Sequence, residues 1–239
     1  MTLKNKGKIV GWIFLFSAGA WLTSVISSCG KATTASPTGL NIRYEVLNLS
    51  PDVLPIDIYI KLLKVNTTSF SYSINQGYFY VTALDTPYVI RQPIHTGGGV
   101  ILRRDDVLKT GLSYSLFIVG NVSDNSILPI FTVDTASLPA VGRAKVRFVN
   151  ASPTATAGLD VTANGTTAFS KITYPNYSKY IELPNGNYDF QLSATGSGGV
   201  LKTLTGVTLQ DGRLYTLYAY GYSNRADSAA FNAGLITNR

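Results

Sequence analysis

Few side chains in this sequence can make or break bonds. There is one cysteine, Cys29, and one histidine, His95, in 239 residues. A histidine followed by glycines (His95-Thr96-Gly97-Gly98-Gly99) has the form of an esterase oxyanion loop. That chemistry also needs a serine on a nucleophile elbow and a histidine base. No G-x-S-x-G occurs and no second histidine exists, so His95 reads as part of a loop between strands. Zinc held by paired imidazoles is excluded on the same count. Asp105-Asp106 and Asp124-Asn125 could meet calcium, but neither has the spacing of an EF-hand loop. Adjacent acids on a strand point to opposite faces, which makes Asp105-Asp106 a solvated pair. Carboxylate pairs for glycoside hydrolysis are defined by separation in space, and nothing in the sequence singles one out. Walker A and dinucleotide fingerprints are absent from the sequence. The expectation is a protein that is not an enzyme, with no catalytic residues, no metal and no cofactor.

Cys29 has a different chemistry available. Lys4, Lys6 and Lys8 precede an uncharged run from Ile9 to Ile26, and Ser27 and Ser28 lead into the cysteine. A charged start, an apolar stretch and a small-residue exit are the parts of a secretory signal. The sequence Ile26-Ser27-Ser28-Cys29 resembles a bacterial lipobox: aliphatic, small, small, cysteine. The resemblance implies a thiol carrying diacylglycerol, cleavage before Cys29 and a second acylation such as palmitate on the new amino group. Two or three chains anchor stably, since each buried methylene contributes about 0.8 kcal/mol and one chain alone is marginal. The alternative is a simple transmembrane helix, for which the run from Ile9 to Ile26 is at the lower edge of the roughly 17–25 residues required. The lipobox reading places the protein in the cell envelope, on the outer membrane, facing the periplasm or the surface.

Tyrosines are the remaining candidates for recognition. Tyr218, Tyr220 and Tyr222 alternate with Leu217, Ala219 and Gly221, so they share one face of a strand. An exposed face of this kind would form a ligand surface able to stack on sugar rings or meet a protein. A covered one would only stabilise the sheet. Asp134-Thr135-Ala136 and Asp227-Ser228-Ala229 resemble envelope O-glycosylation acceptors, with Thr135 and Ser228 as the modified residues.

The elements that must position these groups are strands. Without residues 1–28 the chain has 17 basic and 13 acidic residues, a net +4 in place of the whole-chain +7. The charges are sparse and no cluster exceeds Arg103-Arg104, which argues against nucleic acid as a partner. The expected partners are a membrane, through the N-terminal lipid, and an envelope protein or glycan. If Cys29 carries lipid, no disulfide is possible, and the core must hold the fold. Gly30 to Gly39 reads as a flexible tether. Beyond it the apolar period is two: Ile42, Tyr44 and Val46 alternate with polar neighbours, as do Ala144, Val146 and Phe148. Such alternation predicts half-buried strands.

The same text is written twice. Asn48-Leu49-Ser50-Pro51 matches Asn150-Ala151-Ser152-Pro153, and Ile56-Asp57-Ile58 matches Leu159-Asp160-Val161. Leu108 to Tyr114 matches Leu209 to Tyr215, Gly120 matches Gly221, and Tyr78 and Tyr88 fall opposite Tyr177 and Tyr188. Offsets that stay between 99 and 103 throughout mark an internal duplication. Asn164-Gly165 predicts a type I′ hairpin in the second copy, and the first has no such turn.

The second copy contains R-x-x-N-x-S-P (Arg147 to Pro153), an apolar-Asp-apolar strand, N-G-T (Asn164 to Thr166), L-P-x-G-x-Y (Leu183 to Tyr188) and L-x-x-G-x-x-Y-T (Leu209 to Thr216). Together these resemble the DUF4397 family of bacterial envelope proteins, and the first copy resembles it more loosely. The resemblance implies an immunoglobulin- or transthyretin-like sandwich and assigns no activity. The expected fold is all-β: two tandem antiparallel β-sandwich repeats after a lipoprotein signal segment. The expected segments are a signal at 1–28, a tether at 29–39, repeat 1 at 40–137, a linker at 138–142 and repeat 2 at 143–239.

Overall fold

The computed structural model describes residues 41–60, 62–82, 87–93 and 97–239. Cys29 and His95 lie outside the described residues. Among the described residues every regular element is a strand. In repeat 1 these are β1 (Asn41–Asn48), β2 (Asp57–Ile60), β3 (Leu63–Lys64), β4 (Phe79–Thr82), β5 (Tyr88–Arg91), β6 (Val100–Arg104), β7 (Ser113–Val119) and β8 (Leu128–Val133). Repeat 2 begins with β9 (Arg143–Ala151), β10 (Leu159–Ala163), β11 (Thr166–Ile172), β12 (Asn176–Tyr177) and β13 (Ile181–Pro184). It ends with β14 (Gly186–Ala194), β15 (Val200–Leu209), β16 (Leu214–Tyr220) and β17 (Asn232–Thr237).

Each repeat is a two-sheet sandwich. In repeat 1 an inner sheet ordered β4-β1-β7-β8 faces an outer sheet ordered β3-β2-β5-β6. In repeat 2 the inner sheet is β12-β9-β16-β17, with β13 also on β9, and the outer sheet is β11-β10-β14-β15. The pairing is antiparallel except that β1 runs parallel to β7 and β9 parallel to β16. Ile42, Tyr44, Val46, Ile58 and Ile90 fill the first core; Val146, Phe148, Val161, Phe190 and Leu217 fill the second. At about 1.5–3 kcal/mol for each large apolar side chain buried, these layers hold the fold without disulfides.

The expectation of half-buried strands fails for β1 and β9, where Glu45, Leu47, Arg147 and Val149 on the second face are also buried. β7 and β16 are buried at every position. A third apolar layer joins Leu47, Leu49, Phe117 and Val119 of repeat 1 to Val149, Ala151, Tyr218 and Tyr220 of repeat 2. The inner sheets therefore pack on each other, and Gly39–Arg239 forms one compact unit. These residues are register equivalents: Leu47 pairs with Phe117 on parallel strands as Val149 pairs with Tyr218. The two repeats thus meet through the same face of each, the pattern of an isologous interface.

Register also corrects two sequence equivalences. Phe79 pairs with Tyr44 as Ile181 pairs with Val146, which sets Tyr78 opposite Tyr180 and not Tyr177. Tyr88 pairs with Ile60 as Phe190 pairs with Ala163, so its counterpart is Phe190 and not Tyr188.

Candidate functional site

The motif residues serve the fold in both copies. Asn48 is buried; its Nδ2 donates to the carbonyls of Val53 and Phe70, and its Oδ1 accepts from the Ser50 N–H. Asn150 repeats this with Ala155, Ile172 and Ser152. In the L-x-x-G-x-x-Y segment the Tyr114 hydroxyl accepts from the Lys109 N–H at 2.9 Å, and Tyr215 accepts from Gln210 at 3.0 Å. This is the tyrosine corner of sandwich folds. Asp160 accepts from the Lys171 N–H and the Thr195 hydroxyl, while Asp57 meets Asn66 and Lys64. Gly120 (φ +85°) and Gly221 (φ +77°) sit where a Cβ would lie 2.1 Å from the Ser126 carbonyl oxygen or 2.4 Å from that of Ala230. No other residue fits there without displacing backbone.

A buried polar cluster crosses from one repeat to the other. Arg147 is 2% exposed and its partner Asp134 fully buried. The guanidinium pairs with that carboxylate and donates to Thr216 Oγ1, the Val133 carbonyl and Thr132 Oγ1. Asp134 also accepts from Ser115 Oγ (2.6 Å), Thr132 Oγ1 (2.9 Å) and the Tyr78 hydroxyl (2.6 Å). The Tyr78 hydroxyl in turn accepts from Asn238 Nδ2, whose Oδ1 takes the Thr216 hydroxyl. Register makes Asn238 the counterpart of Asp134 and Thr216 the counterpart of Ser115. The counterpart of Arg147 is Glu45, which is 1% exposed and has no hydrogen-bond partner on either carboxylate oxygen. Burial, with Asp134 nearby, raises its pKa to about 8 against the pull of Arg43 and Arg147. Apart from the Glu45 carboxyl, these donors and acceptors pair with one another across the interface, so the cluster orients the two repeats.

An open concave feature lies in repeat 1. A groove of about 610 Å³ is lined by Thr67, Thr68, Ile74, Gln76, Tyr78 and Tyr80, among others. It runs beside β4, the edge strand of the inner sheet. Tyr80 is 63% exposed and Ile74 53%, and Gln76 Nε2 donates to the Ser69 carbonyl. The irregular middle of repeat 1 builds this groove.

The residues singled out in the sequence are scattered. Tyr218 and Tyr220 are enclosed between the repeats, 4% and 8% exposed, where Tyr218 contacts Phe117 and Tyr220 contacts Tyr72. They are core, which corrects the expectation of a tyrosine ligand surface. Tyr222 is only half-buried, beyond the end of β16, with the Arg225 guanidinium 5.8 Å from its ring. Thr135 is exposed but its Oγ1 accepts from the Ser113 N–H, and Ser228 is exposed on the loop after Asp227. Asp106 is not a simple solvated acid: it pairs with Arg104 at 2.6 Å and accepts from the Tyr88 hydroxyl, itself bonded to Tyr44. Sequence alone does not bring Glu45, Asp134, Arg147 and Asn238 together, although Arg147 opens the R-x-x-N-x-S-P motif and Asp134 the Asp-Thr-Ala tripeptide. Their signal was an acid and a base, Glu45 and Arg147, at one offset of the duplication.

Comparison with known families agrees with this architecture. The family described as "Domain of unknown function (DUF4397)" matches residues 43–157 and again 154–238. No curated protein matches the chain. With both sandwiches covered in tandem, this chain belongs to the DUF4397 family.

Proposed function

We propose that the protein is a non-catalytic, lipid-anchored component of the bacterial cell envelope that presents two fused sandwiches for interaction or structural support. The non-catalytic reading is carried by one observation: the polar residues of the family motifs (Asn48 and Asn150, Tyr114 and Tyr215) are spent on holding turns and corners. Anchoring is supported by Ile26-Ser27-Ser28-Cys29 behind a charged start and an apolar run. Cys29→Ser is expected to abolish incorporation of labelled palmitate and to leave the signal uncleaved by intact mass. Unchanged labelling and mass would refute the anchor.

A second reading is saccharide recognition, relocated from the enclosed tyrosines to the groove of repeat 1. The exposed Tyr80 ring offers a stacking face beside the hydroxyls of Thr67 and Thr68 and the Gln76 amide. Such a set, one aromatic platform with a few polar groups in a cavity of this size, suits a sugar ring. On a glycan array the parent protein is expected to bind and Tyr80→Ala to lose binding at least tenfold, matching about 1.4 kcal/mol or more. An array without hits would remove this reading.

A further inference from the structure

The β2–β3 hairpin carries a residue that its own turn disfavours. Ile60 pairs with Leu63 across a two-residue loop, as Ala163 pairs with Thr166 in repeat 2. Repeat 2 fills that loop with Asn164 (φ +49°) and Gly165 (φ +79°), residues suited to positive φ. Repeat 1 instead has Leu62 at φ +72°, an outlier for a bulky side chain. Leu62 gains no burial in return, since it is 88% exposed, and Leu63 beside it is 72% exposed. Backbone strain that the fold does not need points to a task outside the fold.

The surroundings say what the leucines meet. The sequence around the turn reads Lys61-Leu62-Leu63-Lys64. Register carries the same end of the outer sheet across β5 to β6, because Ile60 pairs with Tyr88 and Tyr88 with Arg104. Just beyond β6, Val107 is 81% exposed. Among the described residues the Arg103 and Arg91 guanidiniums have no acid partner; Arg91 starts from the other end of β5, opposite Asp57, but lies 5.2 Å over the Tyr59 ring and lines one hollow with Leu62 and Arg103. Arg104 is matched by Asp106 and Lys64 by Asp57, leaving Asp105, among the described residues, as the unpaired acid of this end. Repeat 2 puts Thr167, Thr162, Gln191 and Thr203 where repeat 1 has Lys64, Tyr59, Val89 and Arg103. The apolar and cationic character is therefore specific to the first copy.

That end is also where the chain enters. Asn41 pairs with Thr82 and Ile60 with Tyr88. Thr82 and Tyr88 are six residues apart, so at most about 20–22 Å of chain separates the two ends. The apolar run ends at Ile26, and the residues from there to Asn41 reach at most about 50 Å.

We propose that the Leu62–Leu63 tip is a membrane-docking surface, inserting its leucines at the interface of an anionic bilayer while Arg91 and Arg103 meet the headgroup phosphates. Exposed leucines flanked by cations are the composition of an interfacial anchor, and each such cation near an anionic surface adds about 1 kcal/mol. A bilayer is favoured over a protein partner because the tip lies on the end reached from the N-terminal apolar segment. The inference rests on membrane attachment of that segment, by lipid or by span, and not on acylation of Cys29.

The test uses the full chain carrying Cys29→Ser and Leu62→Cys, labelled at position 62 with a polarity-sensitive fluorophore and reconstituted into vesicles. On vesicles rich in phosphatidylglycerol the emission is expected to shift to the blue. It should stay unshifted on phosphatidylcholine, and in a Thr166→Cys control on either. Arg103→Gln should lower the inserted-to-free ratio about fivefold. Leu62→Gly, with the label moved to a Leu63→Cys position, should lose insertion while its denaturation midpoint holds or rises. No shift on anionic vesicles, or an equal shift at position 166, would overturn the proposal. So would a shift confined to native envelopes and lost on protease treatment, which assigns the tip to a protein.

Discussion

Arg147→Ala is expected to cost about 3–5 kcal/mol of stability, because it leaves the Asp134 carboxylate buried with its charge uncompensated. Asp134 has no exposed surface, so water cannot replace the guanidinium. Ser115, Thr132 and Tyr78 would still donate to it, but three neutral donors do not balance a charge. The double replacement Arg147→Met with Asp134→Leu should recover most of the loss, since removing both charges also removes both desolvation costs. Chemical denaturation followed by circular dichroism reads the effect; the two tryptophans, Trp12 and Trp21, are both in the N-terminal apolar run and cannot report it. A double variant as unstable as the single would show that the pair is not what Arg147 contributes.

The second large effect is set by pH. In the folded protein burial raises the Glu45 pKa from 4.5 to about 8. A carboxyl with a raised folded pKa binds its proton more tightly in the native state than in the unfolded chain. The stabilisation is fully present below about pH 4.5 and is lost as pH rises through about 8. Across that window it falls by about 1.4 kcal/mol per pH unit, several kcal/mol in all. The thermal midpoint of the parent should therefore drop between pH 5 and pH 9, and Glu45→Gln should flatten the curve and raise the midpoint at pH 9. A parent curve that rises over this range, or a Glu45→Gln variant with the same slope, would show that Glu45 ionises freely.

Much of the fold was legible in the sequence because its signals are local. Period-two alternation located β1, β2, β9 and β10, Asn164-Gly165 gave the hairpin between β10 and β11, and the repeated N-x-S-P and L-x-x-G-x-x-Y segments showed the duplication. The interface was not legible. Arg43 and Glu45 alternate with core residues as a solvated face would, and only packing of the inner sheets turns that face inward. The same applies to Tyr218 and Tyr220, whose shared face was visible but not its covering. Leu62 is the converse case: a leucine in sequence suggests core, and only the turn register and its positive φ expose it as a residue held out to solvent.

The two repeats form one unit around a shared inner layer, leaving only outer surfaces to meet a partner. Scanning calorimetry of the protein tests this most directly. The account predicts a single transition in which the calorimetric and van't Hoff enthalpies agree, as for one cooperative unit. Two separable transitions, with the second repeat melting unchanged after Arg147→Ala, would contradict it.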